Sequence, residues 1–245
     1  MSERSRPRVA VIAPMPNELR PVVKKLGLER TGERGGMPVY TGAVEDVDIV
    51  ATRTGIGPAL AEAATEQLLD MTDVDRVIVV GIAGGLAPVS AVGDLIVPEE
   101  VVDDATGERF RATVVGDLAA RGVIRTGDAA DYGLDDEDVA RLRDVEGYTA
   151  LDMETAAVAR VCQRRGIPWL AFRAISDMAG DVSLGPVVMT MVNPDGSPRV
   201  WTGIRFLLTR PHKIPRFVRL GRDASAAADT AAEAAATHLR GGEGS

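Results

Sequence analysis

The chain has 245 residues, 45% of them hydrophobic and 26% charged, which suits one large α/β domain with a full hydrophobic core. Its 36 acidic and 28 basic residues leave a net charge of −8, so the molecule as a whole repels nucleic acid and anionic membranes, and no nucleic-acid partner is expected. A single cysteine, Cys162, and two histidines, His212 and His238, exclude a disulfide and leave no Cys/His metal cluster, so no metal is expected. Met1 to Arg8 is polar and charged, and no apolar run is long enough to span a bilayer, which predicts a cytoplasmic protein.

In chain order, Arg8 to Pro14 reads as a strand, and Pro16-Asn17-Glu18 opens a helix to about Leu26. Pro38 to Ala43 and Val47 to Arg53 read as a β-pair around the acidic turn Glu45-Asp46. Gly55-Ile56-Gly57-Pro58 leads into an Ala-rich helix ending near Met71. Arg76 to Val80 is a buried strand that breaks at the turn Gly81-Ile82-Ala83-Gly84-Gly85, and Asp94 to Val97 and Gly122 to Thr126 are further short strands. Asp135 to Arg143 reads as a surface helix. Tyr148 to Met153 is a strand, and Glu154 opens an apolar-periodic helix through Arg165 that ends at Gly166 and carries Cys162 on its apolar face. Pro168 to Ile175 is a buried strand, apolar except for Arg173, with Ser176-Asp177 just past its carboxyl end.

This alternation predicts a single α/β domain with a central, mixed but largely parallel sheet flanked by helices. The last third departs from it. From Arg199 to Arg222 no acidic residue occurs, while seven basic residues interleave with apolar ones such as Trp201, Phe206 and Phe217. Pro211 and Pro215 are expected to split this basic amphipathic stretch into short pieces. An Ala-rich helix from Asp223 to about Leu239 and a frayed tail over Gly241 to Ser245 follow.

The glycine segments support no nucleotide cofactor. Gly55-Ile56-Gly57 lacks the third glycine of a dinucleotide fingerprint, and no G-x-x-x-x-G-K-[ST] occurs. The acids are more informative. Ligands bind outside the carboxyl ends of strands in open α/β sheets, and two acids delivered there can hold a sugar hydroxyl and protonate a leaving group. Taken singly, each acid has a plainer role. Glu154 suits the positive end of a helix, Asp177 suits the cap of a helix starting near Met178, Glu18 suits an exposed first turn, and Arg173 suits a structural carboxylate.

Together, five ordered segments resemble the nucleoside phosphorylase superfamily, and within it the methylthioadenosine/S-adenosylhomocysteine nucleosidases. They are Val11-Ile12-Ala13-Pro14-Met15-Pro16-Asn17-Glu18, Thr54-Gly55-Ile56-Gly57, Gly81 to Pro88 with Val92-Gly93-Asp94, Asp152-Met153-Glu154, and Arg173-Ala174-Ile175-Ser176-Asp177. The resemblance implies hydrolysis of the N-ribosidic bond of a purine nucleoside, with no cofactor and a homodimeric assembly. It implies Asp177 as general acid toward purine N7, oriented by Ser176, and Glu18 as the base that activates water, with Arg173 as its partner. Glu154 would accept hydrogen bonds from the ribose hydroxyls and Met153 would pack on the sugar, while Ala83, Gly84 and Ile56 would border the base and sugar.

Phosphate is the alternative nucleophile. The glycine turn carries Ile82 and no adjacent arginine, and Glu18 would repel an anion, so hydrolysis is favoured, with Arg53 and Arg125 as the remaining anion-ligand candidates. Against typical methylthioadenosine nucleosidases, the stretch from Val102 to Gly122 is short, Ala130 replaces a base-stacking aromatic, and Ile82 stands where a small hydroxyl residue is common. The segment 187–222 reads as a basic insert that could cover an enlarged pocket, dock a second subunit or meet a lipid surface. An adenosyl-lipid substrate, as in the superfamily's hopanoid-associated branch, and a non-catalytic nucleoside-binding protein are the other readings.

Overall fold

The structure, a computed structural model, describes residues 6–86, 91–113, 118, 121–127, 136–178, 193 and 214–241. An 11-stranded sheet runs through it, and its central strands are those that the hydrophobic runs predict. Strand β1 (Arg8–Ala13) pairs in parallel with β4 (Val47–Arg53) and β5 (Arg76–Gly85), and β5 pairs in parallel with β11 (Trp169–Met178). Antiparallel β2 (Glu29–Arg34) and β3 (Met37–Val44) extend the β4 edge. The short β6 (Leu95–Ile96) pairs with β11. On the other side of β5 lie β10 (Ala150–Asp152), β9 (Val123–Thr126), β7 (Glu100–Asp103) and β8 (Arg109–Arg111).

Helices cover both faces. Helix α1 (Pro16–Leu26) and the C-terminal helix α5 (Ile214–Arg240) enclose a core that includes Val9, Val11, Ile78, Val80, Leu170 and Phe172. Helices α2 (Pro58–Met71) and α4 (Thr155–Arg165) enclose the opposite core around Val77, Val79, Val158 and Val161, where Cys162 is fully buried. A short α3 (Asp136–Ala140) continues as a π-helical turn over Arg141–Val145. Helix α5 presents Ala227, Ala228, Ala231, Ala232, Ala235 and Ala236 to the protein interior. Their recurrence at i, i+4 and i+8 puts them on one face.

Several predicted boundaries shift. β5 does not break at Gly81 but runs on to Gly85, because β11 pairs with it along that whole stretch. β11 likewise continues past Ile175 to Met178, so Ser176 and Asp177 lie within the strand rather than beyond it. A bulge there sets Ile175 opposite Ala83 and Asp177 opposite Gly84, leaving Ser176 as the extra residue. Helix α5 begins at Ile214, not Asp223. Pro215 falls in its first turn, where a missing N–H costs nothing. The basic residues 216–222 therefore belong to this helix, whereas the expectations for 187–192, for 194–213 and for Ala130 lie outside the described residues. Three strands, β2, β7 and β8, go unpredicted, the last two being only four and three residues long. β2 is exposed at every position.

One topological feature positions the site. β5 pairs with β1 only as far as Val79, and with β10 only from Gly84. Among the described residues, the edge of β5 between those points faces no strand.

Candidate active site

Side chains fill that gap. The backbone N–H of Ile82 donates to Glu18 Oε1 at 2.8 Å, and the carbonyl of Ile82 accepts from Arg173 Nη1 at 3.2 Å. Two backbone groups that a neighbouring strand would otherwise satisfy are thus met by an acid from α1 and an arginine from β11. Glu18 reaches the gap because α1 starts three residues after β1 ends. At its other oxygen Glu18 accepts the N–H of Met15 at 2.8 Å, as a capping-box residue does. It is not an exposed first-turn acid, since only 1% of its surface is accessible.

Arg173 is fully buried and gathers three acids. Its Nη2 lies 2.8 Å from Asp152 Oδ2 and 3.5 Å from Glu154 Oε2, and its Nη1 lies 3.9 Å from Glu18 Oε1. Glu18 is thus an ion-pair partner of Arg173, as the resemblance implied, but Asp152 is the nearer one. Thr155 stands between the two: its hydroxyl accepts from Arg173 Nε and Nη2 at 3.1 and 2.9 Å and donates to Asp152 Oδ2. Thr126 closes the network, donating to Asp152 Oδ1 at 2.6 Å and accepting from the Ala156 N–H at 3.1 Å. Sequence reasoning assigned no role to Asp152, Thr155 or Thr126. The available signal was Asp152 in the quoted motif, with a threonine three residues on at the start of a helix.

Glu154 sits at the N-cap of α4 and is buried. Its Oε1 accepts the N–H of Gly57 at 2.9 Å, tying α4 to the start of α2. Gly57 has φ 94°, in the left-handed region that favours glycine. Met153 is buried beside it, its Cε 4.0 Å from where a Gly57 Cβ would stand, and Ile56 is half-buried in the same turn.

Asp177 is half-buried and lies opposite Gly84. The Ser176 hydroxyl donates to Asp177 Oδ1 and also reaches the Ala83 carbonyl at 3.4 Å. A Cβ on Gly84 would meet nothing within 4 Å, so space opens beside the backbone opposite Asp177. Of the two anion-ligand candidates, Arg125 is engaged elsewhere, with its Nε 2.8 Å from Asp104 Oδ1. Arg53 is half-buried at the end of β4.

The electrostatics follow from the count. Three buried carboxylates share one guanidinium, so full ionisation would leave two uncompensated negative charges in a low-dielectric site. Burial accordingly pushes Glu18 up to about 7, against the opposing pull of Arg173 and its two backbone donors, with Asp152 adding to the rise. Burial raises Glu154 as well, again opposed by Arg173, and Asp152 and Glu18 raise it further. Groups tuned toward neutral pH suit proton transfer.

A family model described as the phosphorylase superfamily matches residues 8–136 and 112–192. The chain belongs to this superfamily. Within it, the 5′-methylthioadenosine/S-adenosylhomocysteine nucleosidase of Anoxybacillus flavithermus is 30% identical over 203 residues, spanning 71% of this chain and 87% of the relative. Two solved structures share the superfamily fold at low identity. S-adenosylhomocysteine nucleosidase from Streptococcus pyogenes, in complex with 5-methylthiotubericidin, superposes with a TM-score of 0.73 at 18% identity, covering 98% of this chain and 99% of that one. Futalosine hydrolase of Helicobacter pylori superposes at 0.70 with 18% identity, covering 93% and 94%.

Proposed function

We propose that this superfamily member hydrolyses the N-ribosidic bond of a purine nucleoside, a 5′-substituted adenine nucleoside in particular, with Glu18 as base and Asp177 as acid. The observation that carries the proposal is the convergence of Glu18, Glu154 and Arg173 in the open edge of β5, with Asp177 beside open space opposite Gly84. The nucleosidase name of the relative at 30% identity supports it.

Each step uses groups with the required chemistry. Ionised Glu18 takes a proton from water as the water oxygen bonds to C1′ of the ribose. The C1′–N9 bond breaks, its electron pair passes to the purine, and Asp177 delivers a proton to N7, so that the base leaves neutral. Glu154 holds the ribose hydroxyls through carboxylate lone pairs that the Gly57 N–H leaves open, and Met153 packs on the sugar. The products are free base and free ribose derivative. Phosphate is disfavoured as nucleophile because, among the described residues, three buried carboxylates surround one guanidinium, and Arg125 is already held by Asp104.

The same proposal takes the enzyme as a cytoplasmic homodimer. Among the described residues, no helix is long and apolar enough to cross a membrane. Chromatography of the protein incubated with methylthioadenosine, S-adenosylhomocysteine, 5′-deoxyadenosine, adenosine and inosine, each with and without phosphate, tests the activity. Free base with free sugar, independent of phosphate, is expected. A sugar 1-phosphate formed only with phosphate would establish a phosphorylase instead.

A further inference from the structure

Among the described residues the ion pairs set one cation, Arg173, against Glu18, Asp152 and Glu154, and its geometry treats them unequally. At 2.8 Å the contact with Asp152 is a close ion pair, whereas 3.5 Å to Glu154 and 3.9 Å to Glu18 are looser ones. The Thr155 hydroxyl fixes that preference from both sides, accepting two N–H groups of the guanidinium and donating to Asp152. Thr126 in turn fixes Asp152. Nothing in base protonation or ribose binding calls for a third carboxylate held this tightly.

We infer that Asp152 is a positioning residue which, with Thr155, anchors the Arg173 guanidinium away from Glu18 and so keeps Glu18 a strong enough base to deprotonate water. The inference rests on the nucleosidase proposal above. The charged groups facing Glu18 are Arg173 from β11, Asp152 from β10 and Glu154 at the start of α4, together with the amide dipoles of Met15 and Ile82. Were Asp152 neutral, the full guanidinium charge would act on Glu18 and Glu154, and one repelling carboxylate would be gone. Both changes favour the ionised glutamate and weaken it as a base.

Asp152→Asn tests this with little change of shape. Two readouts are followed together: the pH profile of kcat/KM, and a 13C NMR titration of the glutamate side-chain carboxyls, with Glu18 assigned through Glu18→Gln. In Asp152→Asn the acid limb and the Glu18 titration are expected to move together to lower pH, by about one unit, with a lower plateau rate. A Glu18 carboxyl that titrates in Asp152→Asn as it does in the wild type would overturn the inference. If Asp152→Asn fails to fold, Thr155→Val decides, since it removes the hydroxyl that holds the guanidinium to Asp152 without changing any charge: a Glu18 carboxyl that titrates lower than in the wild type supports the inference, and one that titrates as in the wild type overturns it. A wild type that releases base from no nucleoside overturns the nucleosidase proposal, while the NMR titration still judges Asp152 by itself.

Discussion

Gly81 stands directly across from Arg173 in the register of β5 and β11, and a Cβ there would come within 2.5 Å of Glu18 Oε1 and closer still to Arg173 Nη1. Both side chains are buried and held by backbone groups, so neither can yield easily. Gly81→Ala is expected to destabilise the fold by about 1–3 kcal/mol and to lower kcat/KM more than about 100-fold by moving Glu18 and Arg173. Gly84→Ala is the control, since its Cβ would meet nothing within 4 Å. Its urea midpoint should match the wild type.

Asp177→Asn retains the shape of the side chain and removes the proton donor. Turnover should fall about 10²- to 10⁴-fold, while nucleoside binding stays measurable by calorimetry. Ser176→Ala should cost less, because the hydroxyl only orients the carboxyl. Unchanged turnover in Asp177→Asn would place the acid elsewhere.

Glu18 must be ionised to accept a proton, so kcat/KM should rise with pH through an acid limb near 7. Stability runs the other way. The folded state holds this proton up to about 7, whereas the unfolded chain releases it near 4.5, so the folded state binds more protons across that window. Stability should therefore fall as pH rises through it, by about 3 kcal/mol. Urea unfolding at pH 5 and pH 8 checks the sign, and Glu18→Gln should reduce the slope, leaving the part that the raised Glu154 contributes.

Glu154→Gln can still accept the Gly57 N–H but loses the charge offered to the ribose hydroxyls. A loss of about 10- to 100-fold in kcat/KM is expected, with the melting temperature little changed. The same loss for a 2′,3′-dideoxy substrate with wild-type enzyme would locate the missing contact at the sugar.

Ala231 is fully buried in the stripe that α5 lays against the sheet. Ala231→Leu should overpack it and cost about 1–3 kcal/mol of stability. By contrast, Arg165→Ala breaks ion pairs with Glu66 and Asp70 whose side chains are 30% and 65% exposed, and should cost less than about 1 kcal/mol.

The part of the site written in contiguous residues was legible. Glu18, Met153, Glu154, Arg173, Ser176 and Asp177 all fall in short motifs, and the structure brings Glu18, Arg173, Ser176 and Asp177 to β5 and sets Glu154 3.5 Å from Arg173. The network behind them was not legible. Asp152, Thr126 and Thr155 take their roles from hydrogen bonds spanning up to 30 residues, and an exposed aspartate or threonine would look the same in sequence.

By itself, the sequence determined the alternation of buried strands and amphipathic helices, because hydrophobic periodicity reports which face of an element is covered. It also determined which acids stand at those element ends. Only the tertiary structure decided that β5 continues past Gly81, since pairing with β11 outweighs the local bias of glycine toward a turn. Only the fold decided that Arg173 lies closer to Asp152 than to Glu18, because differences of about an ångström in side-chain reach, set by the packing of β10 against β5, determine which carboxylate takes most of the shared charge.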